Sequence, residues 1–219
     1  MNLNDKNKMI INERKRIKKK EISSIALRVF SEMGIDQTNM TDIAKTSEVG
    51  VATLYRYFDN KTNLVIETGV EAWSEINSKY ETAVEKIIAE EILAIDKLEK
   101  LLNLFYKIFT KEKAFVFFLD GFDNYIVNNS VSTDMLETYE DEILRIDPYV
   151  HTVYKEGLHD QSIKKIKDID LFIKTIGHSL LALSQKALIR NRIVKSDRKE
   201  RLMDEMKLMI EMVVLYAKK

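Results

Sequence analysis

Apolar residues recur at helical spacing along almost the whole chain. Between Asn12 and Met33 the positions Ile22, Ile25, Ala26, Val29, Phe30 and Met33 follow the i, i+3, i+4, i+7 rhythm of one buried stripe and predict a first helix. Gly34 stands just past the last apolar position, where a left-handed helix cap is expected. A short second helix is predicted from Asn39, whose side chain can cap while Asp42 returns a bond to the cap's backbone N–H. Ile43 and Ala44 face inward, and the segment ends near Ser47. A turn at Glu48-Val49-Gly50 leads to a third helix, Val51 to Tyr57, with Leu54 and Phe58 apolar. Helices this short are not stable alone, so 12–58 is expected to close on itself as a three-helix unit.

The pattern restarts at Lys61, with Asn60 as its N-cap, and stays helical to the end. The predicted spans are 61–80, 82–94, 97–111, 113–128, 132–158, 168–191 and 197–217. The weak joints are Lys111-Glu112-Lys113, Asn128-Asn129-Ser130, His159-Asp160-Gln161-Ser162 and Lys195-Ser196-Asp197. Pro148 falls inside the 132–158 span and should kink or split it.

Composition agrees with an all-α chain. Of 219 residues, 45% are apolar and 32% charged, which allows both a core and a solvated surface, while one proline and six glycines leave few breakers. The absence of cysteine excludes disulfide scaffolds, thiolate metal sites and cysteine nucleophiles. No apolar run approaches the ~18 residues of a membrane span, and no apolar stretch follows the basic N-terminus as a secretory signal would require. A cytoplasmic protein with no membrane partner is expected.

The net charge is zero, yet Lys6, Lys8, Arg14, Lys15, Arg16, Lys18, Lys19 and Lys20 face only Asp5 and Glu13 within the first twenty residues. Such a basic arm is either a solvated tail or an electrostatic footprint for nucleic acid.

The segment 41–61 favours nucleic acid. Two short helices joined by a tight turn and backed by a longer helix form the arrangement whose second helix enters a major groove. Thr41, Thr53, Tyr55, Arg56 and Tyr57 supply polar and aromatic groups to the outer face, and small Gly50 and Ala52 permit close approach to bases. Lys61 adds charge to a helix N-terminus, whose backbone N–H groups favour a phosphate.

The runs Thr38-Asn39-Met40-Thr41-Asp42-Ile43-Ala44 and Val49-Gly50-Val51-Ala52-Thr53-Leu54-Tyr55-Arg56-Tyr57-Phe58, followed by Asp59-Asn60-Lys61 and Leu64, resemble the DNA-binding signature of the tetracycline-repressor (TetR) family of regulators. The likeness covers about residues 17–64. It implies DNA contacts from Thr41, Gly50, Val51, Ala52, Thr53, Tyr55, Tyr57 and Lys61, with Tyr55, Tyr57 and Lys61 mainly on phosphates. Two positions depart from the family pattern. Glu48 stands where a turn glycine is usual, and Gly50 where a serine N-cap is usual. Arg56 is the only long donor on the recognition helix, while Val51 and Ala52 can touch thymine methyls, so an AT-rich operator is expected. The basic arm would then reach a minor groove.

The resemblance further implies a basic arm at 1–16, a helix-turn-helix DNA-binding domain at 17–62 and a helical effector-binding and dimerisation domain at 63–219. Double-stranded DNA with a palindromic operator, a small-molecule effector and a second copy of the chain are the implied partners, with no cofactor. Homodimerisation is expected through 168–217. There Ile169, Phe172, Ile173, Ile176, Leu180, Leu183 and Leu188 line one helix, and Leu202, Met206, Met209, Ile210, Val213 and Val214 the other. The bland reading of both stripes is intramolecular core. Aromatics crowd 100–150, and Phe105, Phe109, Phe118, Phe122 and Tyr125 are expected to line an apolar or aromatic ligand, with Trp73 and His178 at its edge. Plain core is again the bland alternative.

The histidines offer little chemistry. Glu156 and His159 form a Glu-x-x-His pair, but a di-iron bundle needs a second such pair and two further glutamates. No nucleophile–base motif, phosphate loop or paired-carboxylate signature is visible, so no enzyme is expected. The alternative class is a small helical enzyme or ligand carrier with an aromatic-lined pocket. In the regulator reading, the helix starting at Lys61 leads from the DNA head into the ligand domain. A ligand that tilts it would change the spacing of two heads, and the expected outcome is a repressor released by its ligand.

Overall fold

The computed structural model describes residues 3–191, 193–194 and 197–219. Ten α-helices and one 3-10 turn make up the described residues. They are α1 (Leu3–Met33), α2 (Met40–Thr46), α3 (Val51–Phe58), α4 (Lys61–Ala89), α5 (Ala94–Lys111), α6 (Lys113–Asn128), the 3-10 turn Thr133–Leu136, α7 (Glu137–Leu144), α8 (Asp147–His159), α9 (Ile169–Ile189) and α10 (Lys199–Ala217). No helix among the described residues is long and apolar enough to cross a membrane.

Most predicted joints fall where the helices break, and the differences have local causes. The first helix starts at Leu3 rather than Asn12, so the described part of the basic arm is helical and continuous with α1. The break expected at 81 is absent, because Tyr80-Glu81-Thr82 contains nothing that stops a helix, and α4 runs on to Ala89. Pro148 splits the 132–158 span as anticipated and sits in the first turn of α8, where its missing N–H leaves no bond unmade. Lys195 and Ser196, in the last predicted joint, lie outside the described residues.

Contacts divide the chain into two compact units, one of Met1–Glu75 with Phe118–Glu142, the other of Ile76–Phe117 with Ile143–Lys219. In the first, Ile22, Ala26 and Phe30 of α1, Ile43 and Ala44 of α2, Leu54 and Phe58 of α3 and Leu64 and Val65 of α4 are buried. Between α1 and α4, Lys19 reaches Glu67 at 2.5 Å and Lys20 reaches Glu71 at 3.0 Å. One stripe of α6 packs onto this head. Phe118 stacks on Phe30 with ring centroids 6.2 Å apart, Gly121 lies against Ile35, and Phe122 approaches Gly69.

In the second unit α5 packs against α8, α9 and α10, and α9 against α10. Leu98, Leu101, Phe109, Val153, Ile176, Leu180, Leu202, Met206 and Ile210 are buried there. Leu93, the N-cap of α5, offers no side-chain bond. The loop after α8 caps that helix instead: Asp160 accepts from the Ala94 N–H at 2.8 Å and Ser162 Oγ from the Ile95 N–H at 3.1 Å.

Candidate nucleic-acid interface

The geometry of the head begins at two helix ends. Gly34 takes φ +83° just after α1, the left-handed conformation that a residue without Cβ adopts freely. Asn39 Oδ1 accepts from the Asp42 N–H at 3.0 Å, and Asp42 Oδ2 accepts from the Asn39 N–H at 2.9 Å, so α2 starts in a capping box. The turn between α2 and α3 is held by Ser47 N–H to Ile43 O at 2.8 Å and Val49 N–H to Ala44 O at 3.0 Å. Within it Glu48 has φ +53°, a conformation that costs a residue with a Cβ about 1–2 kcal/mol. The turn thus keeps the shape a glycine would give it, with strain stored at Glu48.

The third helix then turns one face inward and one outward. Leu54 and Phe58 are buried, whereas Gly50, Val51, Ala52, Tyr55 and Arg56 are exposed, with Thr53 and Tyr57 half-buried. Thr41, at the start of α2, is exposed. Gly50 caps α3 through its backbone alone, so the N-cap position puts no side chain in front of the helix N-terminus. With Leu54 and Phe58 fixing the buried stripe, the 3.6-residue period puts Ala52 and Arg56 opposite it and Tyr55 at its edge, while Val51, on the side of the stripe, is exposed in the first turn.

Lys61, the first residue of α4, is half-buried. Its Nζ lies 3.5 Å from the Asp36 carbonyl oxygen and 5.5 Å from the centroid of the Tyr125 ring. Burial lowers its pKa, and the charge of Asp36 opposes that shift. At its side, Thr62 Oγ1 and the Tyr125 hydroxyl are 3.1 Å apart. The only mark of Thr62 in the sequence is its place beside Lys61.

The residues expected around a ligand are divided between the two units. Phe105 and Phe109 stack within the second unit, centroids 6.2 Å apart. Phe118, Phe122 and Tyr125 belong to the first, buried against the helices of the head. Phe122 stacks on Tyr139 at 4.5 Å, and Gly69 makes room for that ring: a Cβ there would lie 2.9 Å from Tyr139 Cε2. Burial pushes the Tyr139 phenol far up, against a hydrogen bond with Trp73.

His178, expected at the edge of a ligand, is exposed on α9. Glu156, the carboxylate of the Glu-x-x-His pair, receives Lys97 Nζ at 2.8 Å, and His159 is the last residue of α8 rather than part of the loop. Of the apolar stripes expected at a dimer, Ile176, Leu180, Leu202, Met206 and Ile210 are buried and the other members half-buried, while Leu171, Leu208, Met212, Leu215 and Tyr216, outside those stripes, are exposed.

A capped, tightly turned helix pair that exposes the outer face of its second helix on an all-helical chain defines a helix-turn-helix DNA-binding protein. Residues 22–68 match the profile of bacterial regulatory proteins of the tetR family. The match covers the DNA-binding head of the chain, and its curated relatives include HTH-type transcriptional regulators. The chain is 25% identical over 153 residues to the HTH-type transcriptional regulator YhgD of Bacillus subtilis, covering 67% of this chain and 72% of that one. In fold it is similar to a protein of Mesorhizobium loti assigned to the TetR family (TM-score 0.69, 18% identity, 94% of this chain and 99% of that one). It is also similar in fold to FadR of Bacillus subtilis, solved in complex with stearoyl-CoA (TM-score 0.62, 18% identity, 90% of this chain and 97% of that one).

Proposed function

We propose that the chain is a cytoplasmic repressor that binds a palindromic operator as a homodimer and leaves it when a small apolar ligand binds. The observation that carries this reading is the outer face of α3, where Gly50, Val51, Ala52, Tyr55 and Arg56 stand exposed beyond a buried Leu54 and Phe58. Val51 and Ala52 meet thymine methyls, and Arg56 supplies the one long donor. Thr41, Thr53, Tyr55, Tyr57 and Lys61 hold the backbone and fix the register. An AT-rich half-site fits this set. Residues 17–62 read DNA, and 63–219 take the effector and the second subunit. The basic segment serves along the phosphates. As a helix of about 10 Å diameter it does not enter a minor groove about 6 Å wide.

The homodimer forms through 168–217, on the exposed Leu171, Leu208, Met212 and Leu215. Residues 208, 212 and 215 share one helical face, and a stable isologous pair buries about 800 Å² on each partner. Leu208→Glu with Met212→Glu is expected to give a monomer in sedimentation, and a persisting dimer would place the interface elsewhere.

The ligand is apolar or aromatic, and each unit is weighed by itself as its seat: Phe105 and Phe109 in one, Phe118, Phe122 and Tyr125 in the other. FadR, of similar fold, is complexed with stearoyl-CoA, so a long acyl chain is the first class to test. The test adds stearoyl-CoA, and separately a planar aromatic ligand, to the protein on fluorescent operator DNA. Release by either supports the ligand part of the reading, and anisotropy unmoved by both removes it.

A further inference from the structure

Tyr125 was expected at a ligand, yet its surroundings belong to the DNA head. It is the last of four α6 positions, Phe118, Gly121, Phe122 and Tyr125, that meet Phe30, Ile35, Gly69 and the Lys61–Thr62 pair in turn. These positions share one face of α6, so the register of that helix on the head fixes where the Tyr125 ring lies. The ring is buried, only 6% exposed, and its centroid is 5.5 Å from the Lys61 ammonium. That distance allows a cation–π attraction, which strengthens where water is excluded. The hydroxyl is tied to Thr62 Oγ1 at 3.1 Å, which stops the ring from turning away. A free lysine side chain loses most of its rotamer freedom when it grips a phosphate. Lys61 has surrendered part of that freedom in advance, between the Tyr125 ring and the Asp36 carbonyl.

We propose that Tyr125 is a positioning residue for DNA binding, holding the Lys61 ammonium where the α4 N-terminus offers it to a phosphate. The inference rests on the reading of Lys61 as a phosphate contact. It places the effector-domain helix α6 in direct control of one DNA contact, so a shift of α6 along the head would loosen Lys61 without moving α3.

The test is a double-mutant cycle in the full-length protein on its selected operator, with salt dependence as the readout. Tyr125→Met keeps most of the volume and loses the ring. It is expected to weaken binding about three- to tenfold, the cost of ordering one released side chain. It should also lower the slope of log K against log salt by up to about 0.9, the share of one phosphate. In a Lys61→Ala background the same substitution should change neither. A Tyr125→Met protein that keeps the wild-type slope while Lys61→Ala loses its share would overturn the positioning role alone. An unchanged slope in Lys61→Ala would remove the phosphate reading and this inference with it. Where Tyr125→Met fails to fold, NMR of the unaltered protein decides. Ring-current-shifted ε-methylene protons of Lys61 are expected, and unshifted ones contradict the proposal.

Discussion

Asn39 and Asp42 each accept a hydrogen bond from the other's backbone N–H, at 3.0 and 2.9 Å, and so define the start of α2. A seven-residue helix has little stability of its own, so this pair does much to decide whether α2 forms at all. Asn39→Ala is expected to cost about 1 kcal/mol in chemical denaturation. Operator affinity should fall as well, because Thr41 sits on the same first turn. A stability equal to wild type would show that the packing of Met40 and Ile43 alone fixes α2.

Glu48 is the strained member of the turn, with φ +53°. Replacing it with glycine relieves a cost of about 1–2 kcal/mol and gives back part of that through the freer unfolded chain. Glu48→Gly is therefore expected to raise the unfolding free energy by about 0.5–1 kcal/mol, read from urea melts. Operator affinity should stay within about twofold, since the turn keeps its shape. A loss of stability would mean that the Glu48 side chain makes a contribution larger than its strain.

The loop after α8 titrates with the fold. Slight desolvation works to raise the pKa of the exposed Asp160, but hydrogen bonds from Ser162 and from the Ala94 N–H outweigh it and hold the carboxyl below its usual range. A depressed folded pKa contributes stability that is present above the unfolded value of about 3.9 and is lost as pH falls through the folded value. Asp160→Asn should therefore be less stable than wild type at pH 7, with the difference shrinking below about pH 4. Equal gaps at pH 7 and pH 3 would show that the charge of Asp160 adds nothing to its capping role.

Gly157 lies under Ile163, where a Cβ would come within 2.5 Å of the isoleucine side chain. Ile163 is buried and its N–H donates to the Gly157 carbonyl at 3.0 Å, so neither side gives easily. Gly157→Ala is expected to destabilise by about 1–3 kcal/mol, as overpacking does. Ile163→Val in the same chain should restore part of the loss. A fully additive double mutant in thermal unfolding would contradict the contact.

Local chemistry was legible and side-to-side choices were less so. The Asn39 capping box, the Gly34 cap and the split at Pro148 were readable because each depends on residues adjacent in sequence. The start of α5 at Ala94 was not, since its cap comes from Asp160 and Ser162, distant in sequence. On the last helix the stripe read from the sequence, Leu202 to Val214, is the inward one, and the second apolar face at Leu208, Met212 and Leu215 was not read. The structure buries Leu202, Met206 and Ile210 and leaves Leu208, Met212 and Leu215 exposed. Within the candidate interface, the outward positions Ala52 and Arg56 were legible from Leu54 and Phe58, whereas the period alone would have turned Val51 inward. The pairing of Lys61 with Tyr125 was not, because it joins the start of α4 to a helix more than sixty residues on.

The central claim is that the exposed face of α3 reads a specific operator from a two-fold pair of heads. Selection of random duplexes by the purified protein, followed by sequencing, tests it most directly. A palindromic, AT-rich consensus is expected, with two half-sites one helical turn apart or somewhat more, about 34 Å or above. Salt-sensitive binding with no enriched sequence would contradict it.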